Sequence, residues 1–127
     1  MTRPRNPVVV ARWSELADRR PAHARVAETD LVVIRDGEVA HVLHGQCTHR
    51  GALLSDGQIE GNDLVCAAHG WDYELSTGVS RTDPCERIGR FEARVDAGAN
   101  TVTVDENAVR AWLAANPSVF DDGELSV

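Results

Sequence analysis

Apolar positions along the chain come in short bursts separated by turn residues, the pattern of many short strands. Val8–Ala11 reads as a first strand, followed by a short turn or one-turn helix around Ser14–Asp18. Arg25–Ala27 is a weak strand candidate. Leu31–Arg35 and Glu38–Leu43 flank Asp36-Gly37, a two-residue hairpin signal because both turn positions tolerate positive φ. Gln58–Glu60 and Leu64–Cys66 flank Gly61-Asn62-Asp63, a second hairpin, and Trp71–Leu75 runs into Ser76-Thr77-Gly78 and Val79. Arg90–Val95 alternates, with Phe91, Ala93 and Val95 on one face. Asp96–Asn100 then turns the chain into Thr101–Val104, whose Val102 and Val104 share a face. Strands at this spacing predict an all-β fold, a small antiparallel barrel or sandwich.

The last segment differs in kind. Asp105 can cap a helix over Glu106–Ala115, and Asn116-Pro117 stops it. Ala108, Val109, Trp112 and Leu113 fall on one helical face, so the helix is expected to dock on its own barrel. Residues 118–127, with Asp121, Asp122 and Glu124, read as a loosely held acidic tail. With 127 residues and no internal repeat or long linker, one domain is expected, residues 1–104, with a helix and tail over 105–127.

Composition narrows the function. Apolar residues make up 43% and charged residues 26%, which excludes a globally disordered chain. Uninterrupted apolar runs are only a handful of residues long, where a membrane span needs about 20. Met-Thr-Arg-Pro-Arg-Asn-Pro has charge but no signal-peptide apolar core behind it, so a cytoplasmic protein with no membrane partner is expected. All 13 basic side chains are Arg, and 20 acidic ones give a net charge of −7. Residues 1–25 carry +4, and residues 26–127, with seven Arg against 18 acids, carry −11. An acidic body argues against nucleic acid and suits docking onto basic patches of protein partners.

The candidate chemistry sits in two loops, Cys47-Thr48-His49-Arg50-Gly51 and Cys66-Ala67-Ala68-His69-Gly70-Trp71. Each follows a predicted strand and offers one thiolate and one imidazole. The hairpin Gln58–Cys66 can bring them side by side. Two Cys and two His read as zinc or as an iron–sulfur centre. A two-Cys/two-His zinc finger usually takes both Cys from one loop and both His from a helix; here the types are mixed within each loop. The mixture suits a dinuclear centre in which one iron takes both Cys and the other both His.

This pair of loops resembles the Rieske [2Fe-2S] domain, from the early strands to about Val104. The resemblance implies that Cys47 and Cys66 hold one iron of a [2Fe-2S] cluster, and His49 and His69 the other. It implies a rubredoxin-like cluster-binding subdomain over about residues 45–86. It also implies a third loop over the cluster at Asp83-Pro84-Cys85, with Trp71, Tyr73 and Pro84 around the centre. Cys85 is expected to be a small loop or core residue. Respiratory Rieske proteins carry an extra Cys in each loop; Ala52 and Ala68 stand there here, so that disulfide cannot form. A Ser that donates to cluster sulfur is replaced by Trp71, while Tyr73 keeps its place. Losing a donor implies a potential in the lower part of the Rieske range of roughly −150 to +300 mV.

The motifs also resemble the cluster domain of ring-hydroxylating oxygenases, whose chemistry needs a separate iron held by two His and a carboxylate. Only His23, His41 and His44 remain, all before the cluster motif, and each is expected to be structural or solvent-facing. The expected function is therefore one-electron transfer without a catalytic site. The carrier, a monomer, would run from an NAD(P)H-dependent flavoprotein reductase to a terminal oxygenase. The alternative is a Rieske module or small subunit of one larger redox enzyme, of the flavin-dependent synthase or nitrite reductase type, which the helix after Val104 favours. A zinc-binding interaction module is a further reading.

Overall fold

The computed structural model describes residues 6–46, 53–67, 72–81 and 87–116. Its strands are β1 (Pro7–Arg12), β2 (Pro21–Val26), β3 (Thr29–Asp36), β4 (Val39–His44), β5 (Gln58–Glu60), β6 (Asp63–Val65), β7 (Asp72–Glu74), β8 (Arg90–Phe91), β9 (Ala93–Asp96) and β10 (Thr101–Asp105). One helix, α1 (Glu106–Ala115), follows. Single 3-10 turns form at Trp13–Glu15 and Leu54–Asp56. All strand pairs are antiparallel, in three sheets ordered β1-β10-β9, β2-β3-β4-β8 and β5-β6-β7.

The run Leu31-Val32-Val33-Ile34 in β3 is wholly buried, which explains the layering. Alternate side chains of a strand face opposite sides, so an unbroken apolar run needs cover on both. Leu31 and Val33 join Val42, Phe91, Val102, Val104 and Val109 in the barrel core. Val32 and Ile34 join Leu43, Leu54, Leu64, Tyr73 and Ile88 in a second core beneath the β5-β6-β7 sheet. The four-stranded sheet is thus a wall shared by two cores.

The strand expectations need four corrections, one of them in the second hairpin, where Glu60 pairs with Asp63, so that the turn is Gly61-Asn62 and β6 ends at Val65 rather than at Cys66. Asp36 pairs with Val39, so the hairpin turn is Gly37-Glu38, with Gly37 at φ 64°. The weak strand at Arg25–Ala27 is the end of the longer β2. Ala27 and Glu28 leave it to form the turn at φ 54° and 63°. The alternating run Arg90–Val95 breaks at Glu92, because β8 pairs with β4 and β9 crosses to pair with β10 in the other sheet.

Helix α1 has the predicted bounds, and the Asp105 carboxylate accepts from the Asn107 amide at 3.0 Å. Capping of this kind satisfies an amide left without an intrahelical partner. The same oxygen accepts from the Asn6 amide at 3.0 Å, tying the helix start to β1. Val109 is fully buried, and Trp112 and Leu113 pack on the barrel core; Ala108 stays on the surface. The acidic tail lies outside the described residues. Among the described residues no helix is long and apolar enough to cross a membrane.

Candidate metal centre

Three backbone closures define the site. β4 ends at His44, and the chain then runs through Gly45 and Gln46 into residues 47–52. Gln46 bridges Leu53 on the way back, and the Leu54 amide donates to the Gly45 carbonyl at 2.8 Å. Residues 66–71 connect β6 to β7, which pair at Val65 and Asp72 on either side of them. Residues 80–86 are closed by the Val79–Arg87 bridge.

The roots of these loops are joined in a ring. Loop one begins beside the end of loop three, where the His44 amide donates to the Gly89 carbonyl at 2.7 Å. Loop three begins beside the end of loop two, where the Arg81 amide donates to the Asp72 carbonyl at 3.0 Å. Loop two begins beside the end of loop one: a Cβ on Gly57 would lie 2.0 Å from the Val65 carbonyl oxygen. Only glycine permits that approach, since real Cβ atoms do not come so close. Arg81 reinforces the ring from outside, its Nε donating to Asp63 at 2.6 Å and its Nη2 to Glu74 at 3.2 Å. These contacts raise the affinity of the Arg81 guanidinium for its proton, through its bond and attraction to Asp63 first.

Cys66 stands directly after β6, 1% exposed, while Ala67 after it is exposed. Tyr73 is fully buried beneath, in the same core as Cys66 and Leu54. A buried thiolate is expensive unless a cation holds its charge. The donor chemistry at Cys66 therefore fits a metal ligand in a loop whose root is fixed. Cys47, His49, His69, Trp71, Pro84 and Cys85 lie outside the described residues, as do Arg50, Gly51, Ala52, Ala68 and Gly70.

The remaining histidines have structural places. His23 Nε2 shares a hydrogen bond with Asp30 Oδ1 at 2.7 Å on the exposed side of β2. His41 faces inward, its Nδ1 buried with no hydrogen-bond partner, and burial first, then the charge of Arg90, pushes its pKa down. His44 ends β4 against Trp112, ring centroids 4.5 Å apart. Sequence reasoning missed Asp30, whose carboxylate also takes Gln46 Nε2 at 3.2 Å and Arg25 Nη1 at 3.1 Å. It also missed Gly57, Gly89 and the landing place of Trp112, which only the fold brings to the loop roots.

The profile of the Rieske [2Fe-2S] domain matches residues 6–97. Ferredoxin CarAc of Metapseudomonas resinovorans is 35% identical over 75 residues, 58% of this chain and 70% of that protein. The oxidoreductase NdmD of Pseudomonas putida is 35% identical over 126 residues; the match takes in 91% of this chain but spans only 21% of that longer protein. Among solved structures, the ferredoxin of carbazole 1,9a-dioxygenase from Nocardioides aromaticivorans IC177 superposes with a TM-score of 0.71 at 25% identity. That match covers 77% of this chain and 95% of the ferredoxin.

Proposed function

Because this chain belongs to the Rieske [2Fe-2S] domain family, we propose that it is a ferredoxin that passes single electrons from an NAD(P)H-dependent flavoprotein reductase to a terminal oxygenase. The observation that carries the reading is the closed ring of loop roots, with buried Cys66 at one of its ends. The names of two similar proteins, ferredoxin CarAc and the ferredoxin of a carbazole dioxygenase, support the choice of an oxygenase as acceptor.

In this reading Cys47 and Cys66 hold one iron of a [2Fe-2S] cluster, and His49 and His69 the other. When bound, the cluster supplies a one-electron couple. The chain's own part is mechanical and electrostatic. Cross-bonded roots keep three loops from separating, and the second core shuts water out beneath Cys66. In this reading the imidazoles of His49 and His69 serve as the electron exit toward the partner. The acidic body steers the carrier toward basic patches on its partners.

The carrier has no catalytic iron of its own in this reading. His23 is engaged by Asp30, His44 lies against Trp112, and His41 is turned into the protein, which leaves no second histidine pair. Helix α1, the feature that favoured a module of a larger enzyme, packs its apolar face on its own barrel. The protein is expected to work as a monomer in the cytoplasm.

Electron paramagnetic resonance before and after dithionite, with iron, sulfide and zinc assayed on the same sample, tests the reading. A silent oxidised sample that gains a rhombic signal on reduction, with the low average g of His-ligated clusters, is the expected result. Zinc without labile sulfide, and no signal in either state, would overturn it.

A further inference from the structure

We propose that Trp112, on a helix beyond the segment matched by the family profile, is a positioning residue that clamps the joint between the first and third cluster loops. The proposal rests on the metal-centre reading above. The family match ends at residue 97, whereas α1 spans Glu106–Ala115, beyond the matched segment. Val109 alone would anchor the helix in the barrel core, where it is fully buried. Trp112, nearly one turn later, packs at the edge of the same core and reaches past it to the loop roots. Its ring lies so close over Gly89 that a Cβ there would be 2.6 Å from Cε2. It meets the His44 ring at 4.5 Å, tilted by 40°, and the Phe91 ring edge-on at 6.1 Å.

His44 and Gly89 are the pair whose backbone bond, 2.7 Å, joins the root of loop one to the end of loop three. Gly89 has no side chain to shield that bond, and the indole supplies the missing cover. A backbone bond kept from water opens less often, and here opening would release both loops together. The other two joints lie within the cluster end itself, at Arg81–Asp72 and Gly57–Val65. This one joins the cluster end to the barrel, and the indole covers it from the barrel side.

The test uses the loaded protein and compares Trp112→Ala, Trp112→Phe and Gly89→Ala with Val26→Ala, a core truncation on β2 that serves as a stability control. Iron release to a chelator, the reduced paramagnetic spectrum and the melting temperature are recorded for each. Trp112→Ala is expected to release iron about fivefold faster, the factor that losing one aromatic contact produces, and to shift its g values. Trp112→Phe keeps a ring over Gly89 and stays near wild type. Gly89→Ala keeps the indole but lifts it, and follows Trp112→Ala; it decides the matter if Trp112→Ala does not fold. Val26→Ala lowers the melting temperature and leaves iron release and g values unchanged. Wild-type release from both Trp112→Ala and Gly89→Ala, or equal acceleration in Val26→Ala, overturns the clamp alone. A wild-type protein without labile sulfide overturns the clamp and the metal-centre reading together.

Discussion

Gln46 donates from Nε2 to Asp30 Oδ2 at 3.2 Å, so the residue before Cys47 hangs from a carboxylate near the start of β3. The Asp30 carbonyl also accepts from the Gly45 amide at 2.8 Å, so side chain and backbone grip the same loop root. Burial alone would raise the Asp30 pKa, but the bond from His23, the charge of Arg25 and the bond from Gln46 hold it below its ordinary 3.8. Asp30→Ala takes the anchor from Gln46 and the partner from the exposed His23 and Arg25, and is expected to cost about 1 kcal/mol in denaturant unfolding.

The same carboxylate sets an acid limit. A lowered folded pKa means that its stabilisation is complete above pH 3.8, the unfolded value, and is lost as pH falls through the lower folded one. Melting curves of wild type and Asp30→Asn are expected to differ at about pH 6 and to converge toward about pH 3. A gap of constant size would refute the role given to its charge.

His41 acts in a higher window. Its folded pKa lies below 6.5, pushed down by burial first and then by Arg90, while Asp36 at 4.0 Å opposes weakly. Its contribution is complete above the unfolded value and erodes as pH falls below it. Between about pH 7.5 and 5.5, His41→Leu is expected to lose less melting temperature than wild type. Equal losses would show that another group carries the dependence.

Gly57→Ala places a methyl 2.0 Å from the Val65 carbonyl oxygen. Gly57 has φ −85° and ψ −158°, extended backbone that any residue adopts, so the whole penalty comes from contact. A cost of about 3 kcal/mol is expected, together with a lower iron-to-protein ratio after reconstitution. Full loading with an unchanged melting temperature would mean that the ring of loop roots is not needed.

Tyr73→Phe removes one hydroxyl from a fully buried ring and should leave the fold intact. A donor bond worth about 1 kcal/mol to the reduced centre corresponds to about 40 mV for one electron. The potential of the loaded variant is expected to fall by about that much in a spectroelectrochemical titration. An unchanged potential would remove Tyr73 from the cluster's surroundings.

What the sequence disclosed follows the range of the forces involved. The helix bounds and the Asp105 cap were legible because capping acts within three residues. The two Gly-marked hairpins were legible for the same reason, although the first turn sits one residue later than expected and the second is one residue shorter. The Ala27-Glu28 turn was not, because neither residue announces positive φ. Nor was the break at Glu92, where the chain changes sheets without losing its alternation. At the candidate centre the Cys and His spacing pointed to the chemistry, and of the four proposed ligands Cys66 alone falls among the described residues. The supports of the loops come from Asp30 and Trp112, which are 16 residues before Gln46 and 23 residues after Gly89. No local pattern reports such partners.

The shared wall has a consequence for how the protein is made. Barrel packing covers only one side of β3 and β4, and the cover over Val32, Ile34 and Leu43 comes from segments that also carry the candidate ligands. A newly synthesised chain short of iron would therefore hold a finished barrel with a greasy back. Its yield in a producing cell should then follow the iron and sulfide supply more closely than the rate of translation.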